Sequence, residues 1–220
     1  MAYGIQLEVW GKYALFSRPE MKTERVSYDV ITPSAARGLI EAVYWHPGLK
    51  WVIDTVFVCN PIRFTNIRRN EVSQKISASN VREVMNGKDA PLYISTSEAI
   101  QQRASLVLTD VRYIISAHFE MTVKASAADT PEKLFAMTSE RLKNGKNFMQ
   151  PYFGCREFPA NIKLFEDTLP KPPDELRGKR DLGYMLYDMD YSNPQDIRPT
   201  FFRAVLTDGM LNLKDCGVVS

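Results

Sequence analysis

The sequence predicts an α+β protein built from alternating strands and helices. Residues 4–12 alternate apolar and polar side chains, which is the period of a half-buried strand. Residues 51–58 are a dense run of β-branched and aromatic side chains, typical of a buried strand. Thr32 followed by Pro33 lies between them and marks the start of a helix, because threonine caps helices and proline is favoured in their first turn.

The first helix is predicted to begin at Pro33 and to end at the Pro47-Gly48 pair. Its apolar residues recur at helical spacing and form one stripe: Ala36, Leu39, Ile40 and Val43. Tyr44 follows this stripe at its edge, beside Arg37 on the same helix. We therefore expect Tyr44 at the boundary of the core, with an apolar ring environment and a wet hydroxyl.

An exposed insertion is predicted over about residues 66–104, because that stretch is polar and mixed in composition. Three elements follow it: a strand from Ser105 to about Val123, a helix from Thr130 to about Lys143, and a strand within residues 152–165. The order is therefore β-α-β-(insertion)-β-α-β, the ferredoxin-like (RRM-like) plan. This plan hosts many activities, so the order alone does not decide the function.

A second, smaller domain is predicted after a linker. Residues 166–180 are rich in proline and charge, which is typical of a loop. Three strands should follow, at about 182–190, 199–207 and 210–214, with a hairpin turn at Thr207-Asp208-Gly209. We predict a ferredoxin-like domain over residues 1–165, with its insertion, and a small antiparallel β-sheet domain over residues 166–220.

Composition excludes several classes of protein. The net charge of +2 means that any nucleic-acid surface is local rather than global. The three cysteines form no Cys-x-x-Cys pair, so neither a disulfide framework nor a zinc site is expected. Reduced cysteines of this kind are typical of a cytoplasmic protein, and we expect that location. No signal peptide and no apolar run of the ~20 residues of a membrane span occur, so no membrane partner is expected. A complete P-loop is absent, and no cofactor is expected.

One of the two histidines lies where it can act chemically. Alternation along the predicted strand divides its side chains between two faces, and the polar one carries Arg112, Ser116, His118 and Glu120. His118 is a candidate general acid or base, and a structural histidine is the alternative. We expect this polar face to provide a partner for Tyr44. His46 is interpreted as a helix-end residue.

Basic residues interleaved with aromatic ones suggest a local surface for RNA. Lysine and arginine contact phosphates, and aromatic rings stack on unpaired bases. The candidate RNA-binding residues are Arg37, Arg68, Arg69, Arg112, Lys143, Lys146 and Arg156. A solvated charged face is the ordinary alternative.

Short motifs then connect the chain with a known family. They are Gly11-x-Tyr13-Ala-Leu-Phe16, Ser27-Tyr28, Thr32-Pro33, Gly38, Tyr44-Trp45, Val52-Ile53-Asp54, Asp110-Val111-x-Tyr113, Ala117-His118-Phe119-Glu120, Gly154-Cys155-Arg156-Glu157 and Leu182-Gly183-Tyr184-Met185. In their order and spacing, over nearly the whole chain, the sequence resembles the subtype I-C CRISPR-associated endoribonucleases. That family is the "d" branch of the Cas-five type of repeat-associated RNA-processing proteins.

The resemblance implies metal-independent cleavage of precursor CRISPR RNA at the 3′ base of the repeat hairpin. It also implies that the mature CRISPR RNA stays bound by its 5′ handle in an interference complex with other Cas subunits. Some members of the family bind duplex DNA as well. The family pattern includes a helix-end tyrosine and a lysine-histidine combination on a strand, which Tyr44 and His118 match.

The chain departs from this family at the expected lysine. Ser116 lies near its place, and serine cannot supply a cation to a developing phosphorane. Arg112 on the same predicted face, or Lys124 further along, are alternatives without a motif match. A non-catalytic subunit that holds the 5′ handle of an RNA cut by another enzyme is therefore the second hypothesis.

Overall fold

Antiparallel strand pairing dominates the computed structural model, which describes residues 3–21 and 24–219. The strands are β1 (Gly4–Ala14), β2 (Arg25–Val26), β3 (Leu49–Val58), β4 (Phe64–Val72), β5 (Ile100–Met121), β6 (Asn161–Leu164), β7 (Lys179–Asp190), β8 (Arg198–Thr207), β9 (Met210–Asn212) and β10 (Val218–Val219). The helices are α1 (Pro33–Val43), α2 (Ala78–Met85) and α3 (Pro131–Lys143), with a short 3₁₀ turn at Asp174–Leu176.

All the described strands belong to one sheet of ten strands. Its main order is β10-β8-β9-β3-β5-β1-β6, while β2 and β4 pair with β5, and β7 pairs with β8. The long strand β5 is central because it pairs with β1 on one side and with β3 on the other. The closing strands join the same sheet, since β9 pairs with β3. The mixed α and β class that the sequence predicts is confirmed.

Helices α1 and α3 pack against one face of this sheet, which we call the helical face. Phe119 of β5 packs edge-on against Trp51 of β3 and stacks with Tyr3, whose ring also meets Phe135 of α3. The side chains that alternate with these point to the opposite side, which we call the polar face. Among the described residues, no helix is long and apolar enough to cross a bilayer.

The predicted insertion forms an arm on β5. Strand β4 pairs with the first half of β5 from Phe64↔Leu108 to Val72↔Ile100, and α2 lies in the connection between them. No side chain of α2 is buried, which agrees with the exposed character that its polar composition predicts. Because β4 needs a partner, β5 begins at Ile100 rather than at the predicted Ser105.

The end of α1 differs from the prediction. The Thr32 hydroxyl accepts the Ala35 N–H at 3.3 Å as expected, but the helix ends at Val43, ahead of Pro47-Gly48. Tyr44 is the C-cap residue, with extended backbone at φ −145° and ψ 115°. The helix ends where the Tyr44 ring turns inward and becomes buried, because Pro47 disfavours helical backbone only at His46.

Gly154 is a point where the fold requires glycine. Its backbone has φ +77°, and a Cβ there would overlap the carbonyl group of Leu15. We expect Gly154→Ala to lower the free energy of unfolding in urea by about 3 kcal/mol or more, because left-handed strain and overpacking add together. Gly178→Ala is the matched control, since Gly178 has φ +76° and no atom within 4 Å of the new Cβ. An equal loss in both variants would contradict this account.

Candidate active site

A histidine-aspartate pair lies on the polar face of the sheet. Nδ1 of His118 on β5 lies 3.0 Å from both carboxylate oxygens of Asp54 on β3. Both side chains are largely buried, with 25% and 18% of their surface exposed. A carboxylate at Nδ1 orients the ring and selects the tautomer in which Nδ1 carries the proton.

A β-bulge places Asp54 in this contact. Ile53 lies opposite Ala117 and Thr55 opposite Ser116, so Asp54 is the additional residue on β3. Such a residue is left out of the regular ladder, and bulges often redirect a side chain next to a functional site. The backbone carbonyl of Asp54 accepts the N–H of Leu213 at 2.9 Å, which holds the C-terminal segment beside the bulge.

A cleft of about 520 Å³ opens beside His118 and Asp54. The C-terminal part of the chain supplies the rest of its polar lining, namely Tyr187 of β7 and Lys214 after β9. Because Asp54 engages Nδ1, Nε2 is the ring nitrogen of His118 that remains for a substrate. Burial raises the pKa of Tyr187, so its hydroxyl stays protonated at neutral pH.

Ser116 shares the polar face with His118 but carries no charge. Its hydroxyl accepts a hydrogen bond of 3.1 Å from the Gln6 amide on β1. This neutral pair occupies the place where the family resemblance led us to expect a lysine. The cation of the site, if one acts, has to come from another element.

A charged cluster lies further along the polar face. The Glu8 carboxylate on β1 forms two ion pairs. Its oxygens lie 2.6 Å from Nε of Arg112 and 2.8 Å from Nζ of Lys163. Burial by itself would raise the pKa of Glu8, but the hydrogen bonds from Lys163 and Arg112 outweigh it and lower this pKa. The Lys163 ammonium also lies 5.6 Å from the centre of the exposed Trp10 ring. Arg112 is therefore engaged with Glu8 rather than free to act at the His118 cleft.

Tyr44 lies in a different environment from His118. It is 6% exposed, and its hydroxyl donates a hydrogen bond of 3.6 Å to the Met137 sulfur on α3. The guanidinium of Arg141 lies 5.5 Å from its ring centre. Burial raises the pKa of Tyr44, and the charge of Arg141 offsets this only in part. The residue as a whole is less exposed than a boundary position would be.

The structure does not bring Tyr44 and His118 together. Tyr44 contacts α3, which covers the helical face, and Phe119 points to that same face. His118 is the neighbour of Phe119 along β5, so its side chain points to the polar face. The expectation that the polar face supplies a partner for Tyr44 is therefore not met.

Arg37 connects α1 to β7, and the partners of its guanidinium are acidic residues rather than Tyr44. Its guanidinium pairs with Asp188 of β7, including one hydrogen bond of 3.0 Å, and lies 3.4 Å from Glu41. Burial alone would lower the pKa of Arg37, but the hydrogen bond and charge of Asp188 raise it. These contacts hold α1 against β7, next to a second cleft that Lys50 also lines.

The other candidate RNA-binding residues are spread over several surfaces. Arg69 on β4 pairs with Glu157, which brings the neighbouring Arg156 towards the arm. Lys146, after α3, lies 3.8 Å from Glu140. Arg68, Lys143 and Arg156 are exposed, and no ion pair to another described residue involves them. The structure thus associates Arg69 with Arg156 but does not gather the whole set.

Sequence reasoning did not propose Asp54 or Lys214 as site residues, although Asp54 belongs to the Val52-Ile53-Asp54 motif of the family resemblance. Asp54 carried a signal, because it is the one charged side chain within the β-branched run of residues 51–58. Lys214 carried none, because its position depends on β9 pairing with β3. Within the described residues, no three histidine, cysteine or acidic side chains are close enough to share a metal ion.

Comparison with known families decides which family this chain belongs to. The Cas5d family model, described as CRISPR-associated protein (Cas_Cas5), matches residues 4–214. The chain is a member of the Cas5d family. A relative from Mannheimia succiniciproducens, named CRISPR pre-crRNA endoribonuclease Cas5d, is 48% identical over 97% of this chain and 96% of its own length. A Thermus thermophilus protein of the same name is 38% identical over 85% of this chain and 73% of its own length.

Solved structures agree with this Cas5d fold. A structure titled "Crystal Structure of CRISPR-associated Protein" has a TM-score of 0.68 at 22% identity, covering 99% of this chain and 96% of the other. A chain from a "CRISPR RNA-guided surveillance complex" has a TM-score of 0.56 at 14% identity, covering 92% and 88%. At these identities the likeness concerns the fold alone.

Proposed function

We propose that this Cas5d protein is a metal-independent endoribonuclease that cleaves precursor CRISPR RNA at the 3′ base of the repeat hairpin. The observation that carries the proposal is the His118–Asp54 pair on the wall of an open cleft. The relative that shares 48% of its residues, named a pre-crRNA endoribonuclease, supports the choice of substrate. The protein then keeps the 5′ handle of its product.

The RNA supplies its own nucleophile in this reaction. The 2′-oxygen next to the scissile phosphate attacks phosphorus, and its proton passes to solvent water. The bond from phosphorus to the 5′-oxygen breaks. His118 enters this step with a proton on both ring nitrogens, gives the Nε2 proton to the leaving oxygen and keeps the Nδ1 proton on the side of Asp54. The products are a 2′,3′-cyclic phosphate and a 5′-hydroxyl. Proton transfer of this kind contributes roughly 10²–10⁴-fold to the rate, and alignment of the phosphate contributes the remainder.

Tyr44 stays in the proposal on the strength of the family resemblance, as a residue that positions the 2′-hydroxyl. Its contacts on the helical face require the RNA to pass around the end of the sheet to reach it. Tyr44→Phe tests this role directly, because it removes the hydroxyl and keeps the buried ring. A loss of cleavage keeps Tyr44 in the site, whereas unchanged cleavage removes it.

RNA binding is proposed for the candidate basic residues in two groups. Arg68, Lys143 and Arg156 have exposed side chains that can meet phosphates directly. The others would first have to exchange a carboxylate for a phosphate: Arg37, Arg69, Arg112 and Lys146. The first group should therefore account for more of the salt dependence of RNA affinity.

The proposed partners are the mature CRISPR RNA and other Cas subunits of a subtype I-C interference complex, in the cytoplasm. Likeness to a chain of an RNA-guided surveillance complex supports the fold that such an assembly needs. The subtype and contact with duplex DNA rest on the family resemblance.

The finer domain description is also an inference. The order β6-β1-β5-β3 with α1 and α3 on one face supports a ferredoxin-like unit over residues 1–165. The strands after residue 166 would form the second domain, although β9 continues the sheet beside β3.

The decisive experiment is incubation of the purified protein with its cognate repeat RNA in excess EDTA. Defined products from a single site support the proposal. A shifted but intact RNA would instead support the second hypothesis, a subunit that holds the handle without cutting.

Asp54→Asn tests the positioning of His118. We expect single-turnover cleavage to fall about 10- to 100-fold, less than the roughly 10²–10⁴-fold of the proton transfer itself, because the ring loses its orientation but remains present. RNA affinity should stay within a few-fold, and Asp54→Glu should recover part of the rate. Ring ¹⁵N resonances should show His118 leaving the tautomer protonated at Nδ1.

The matched control is Asp167→Asn, which changes an exposed carboxylate in the linker. If Asp54→Asn cleaves RNA as fast as this control and keeps the tautomer, Asp54 does not position the histidine. A changed tautomer without a slower reaction would show that Asp54 orients the ring but that this orientation does not contribute to the rate.

A further inference from the structure

We propose that Lys214 is the cation of the active site and contacts a non-bridging oxygen of the scissile phosphate. The inference rests on the proposed function and deepens it, because it assigns a catalytic residue from the C-terminal segment. It places the positive charge after β9, whereas Ser116, near which the family pattern puts a lysine, lies on β5.

The backbone around Lys214 is held at the cleft by three contacts. Asn212 lies opposite Thr55 in the β3–β9 ladder, and the N–H of Leu213 donates to the carbonyl of Asp54. The N–H of Lys214 itself donates to the Asn212 side chain at 3.1 Å. Lys214 directly follows Leu213, the residue bonded to Asp54, and therefore lines the same cleft as the His118 ring.

The charge of Lys214 is available, in contrast to the two cations that surround Glu8 on the polar face. Arg112 and Lys163 are both paired with Glu8. Among the described residues, no ion pair or side-chain hydrogen bond engages the Lys214 ammonium, and its side chain is exposed. It can therefore meet a ligand without breaking an existing contact.

The chemistry of the cleft requires such a group. When the 2′-oxygen attacks, negative charge grows on the non-bridging oxygens of the phosphate. His118 gives its proton to the leaving oxygen and does not neutralise that charge. An ammonium donor that is already in place stabilises the transition state without moving a proton, and loss of one comparable donor slows enzymes by about 10²–10³-fold.

The test measures single-turnover cleavage of repeat RNA at saturating protein for Lys214→Gln and Lys214→Arg. We expect Lys214→Gln to be slower by about 10²-fold or more and Lys214→Arg to stay within about tenfold of the unchanged protein. Affinity for an uncleavable RNA with a 2′-deoxy nucleotide at the cut should change only a few-fold. The exposed position predicts unchanged thermal unfolding in both variants.

Two control variants and a substituted substrate show whether the contact is direct. Lys171→Gln, in the exposed linker, should cleave normally, and so should Lys50→Gln, which lines the neighbouring cleft. Sulfur in place of one non-bridging oxygen should slow the unchanged protein for one stereoisomer more than for the other. Lys214→Gln should lose this preference.

Normal cleavage by Lys214→Gln, with an inactive His118→Ala variant alongside, would overturn the assignment of Lys214 and leave the proposed function standing. A slow Lys50→Gln with a normal Lys214→Gln would overturn it as well. Absence of cleavage by the unchanged protein would overturn the proposed function, and the assignment of Lys214 with it.

Discussion

Replacing His118 with alanine is expected to reduce single-turnover cleavage of repeat RNA by roughly 10²–10⁴-fold. The imidazole is the one group in the cleft that combines a proton to give with a carboxylate to hold it, through the 3.0 Å contacts with Asp54. Affinity of the variant for the hairpin should stay within a few-fold of that of the unchanged protein. Only one side chain on the polar face is lost, and the basic residues proposed to bind RNA are unaltered. The measurement is a rate constant at saturating protein, so that weaker binding cannot imitate the loss.

Alanine leaves the largely buried Asp54 carboxylate without its partner, which by itself costs stability. His118→Asn is therefore measured in parallel, since its amide can still donate to Asp54 but cannot give a proton to the leaving oxygen. Both variants should show this reduced rate, and added imidazole should restore part of it in His118→Ala. His46→Gln is the control, because His46 is the other histidine of the chain. Cleavage by His118→Asn at the normal rate would refute the acid role.

A single 2′-deoxy nucleotide at the cut should stop the reaction completely while the RNA still binds. The nucleophile belongs to the substrate, so its removal leaves His118 and the cleft intact but without an attacking oxygen. The measurement uses the all-ribose repeat to map the cut and the deoxy substrate to compare products and affinity. The 5′ fragment of the ribose substrate should end in a 2′,3′-cyclic phosphate.

The same substrate pair distinguishes attack by the 2′-oxygen from attack by water. An enzyme that activates water would cleave the deoxy substrate and leave a linear phosphate, and that result would exclude the 2′-oxygen as nucleophile. Cleavage of the ribose substrate should also persist in excess EDTA. Loss of activity on chelation would assign the reaction to a metal-dependent enzyme of the same fold.

Local pattern was sufficient to predict most of the elements. The Thr32 cap and the apolar stripe of α1 act within a few residues of each other, and the structure contains both. Alternation along β5 placed His118 and Ser116 on one face and Phe119 on the other, as observed. These predictions succeed because helix and strand periods are properties of neighbouring residues.

The end of α1 shows where local pattern is insufficient. Pro47-Gly48 indicated the latest residue at which the helix could stop, but the burial of Tyr44 against Met137 ends it at Val43. The gain from burying that ring depends on α3, which the sequence near Tyr44 does not describe. The same contact holds Tyr44 on the helical face, whereas His118 lies on the polar face.

The sequence by itself determined the mixed α and β class of the protein, its two packed helices, most of its long strands, and the orientation of His118 towards a polar face. Its motifs also predicted the family to which the chain belongs, as the match over residues 4–214 confirms. Only the tertiary structure decided what His118 meets: a bulge in β3 supplies Asp54, and the β9 pairing brings Lys214. The physical reason is that strand register and bulges join residues far apart in the chain, and no local period encodes such pairings.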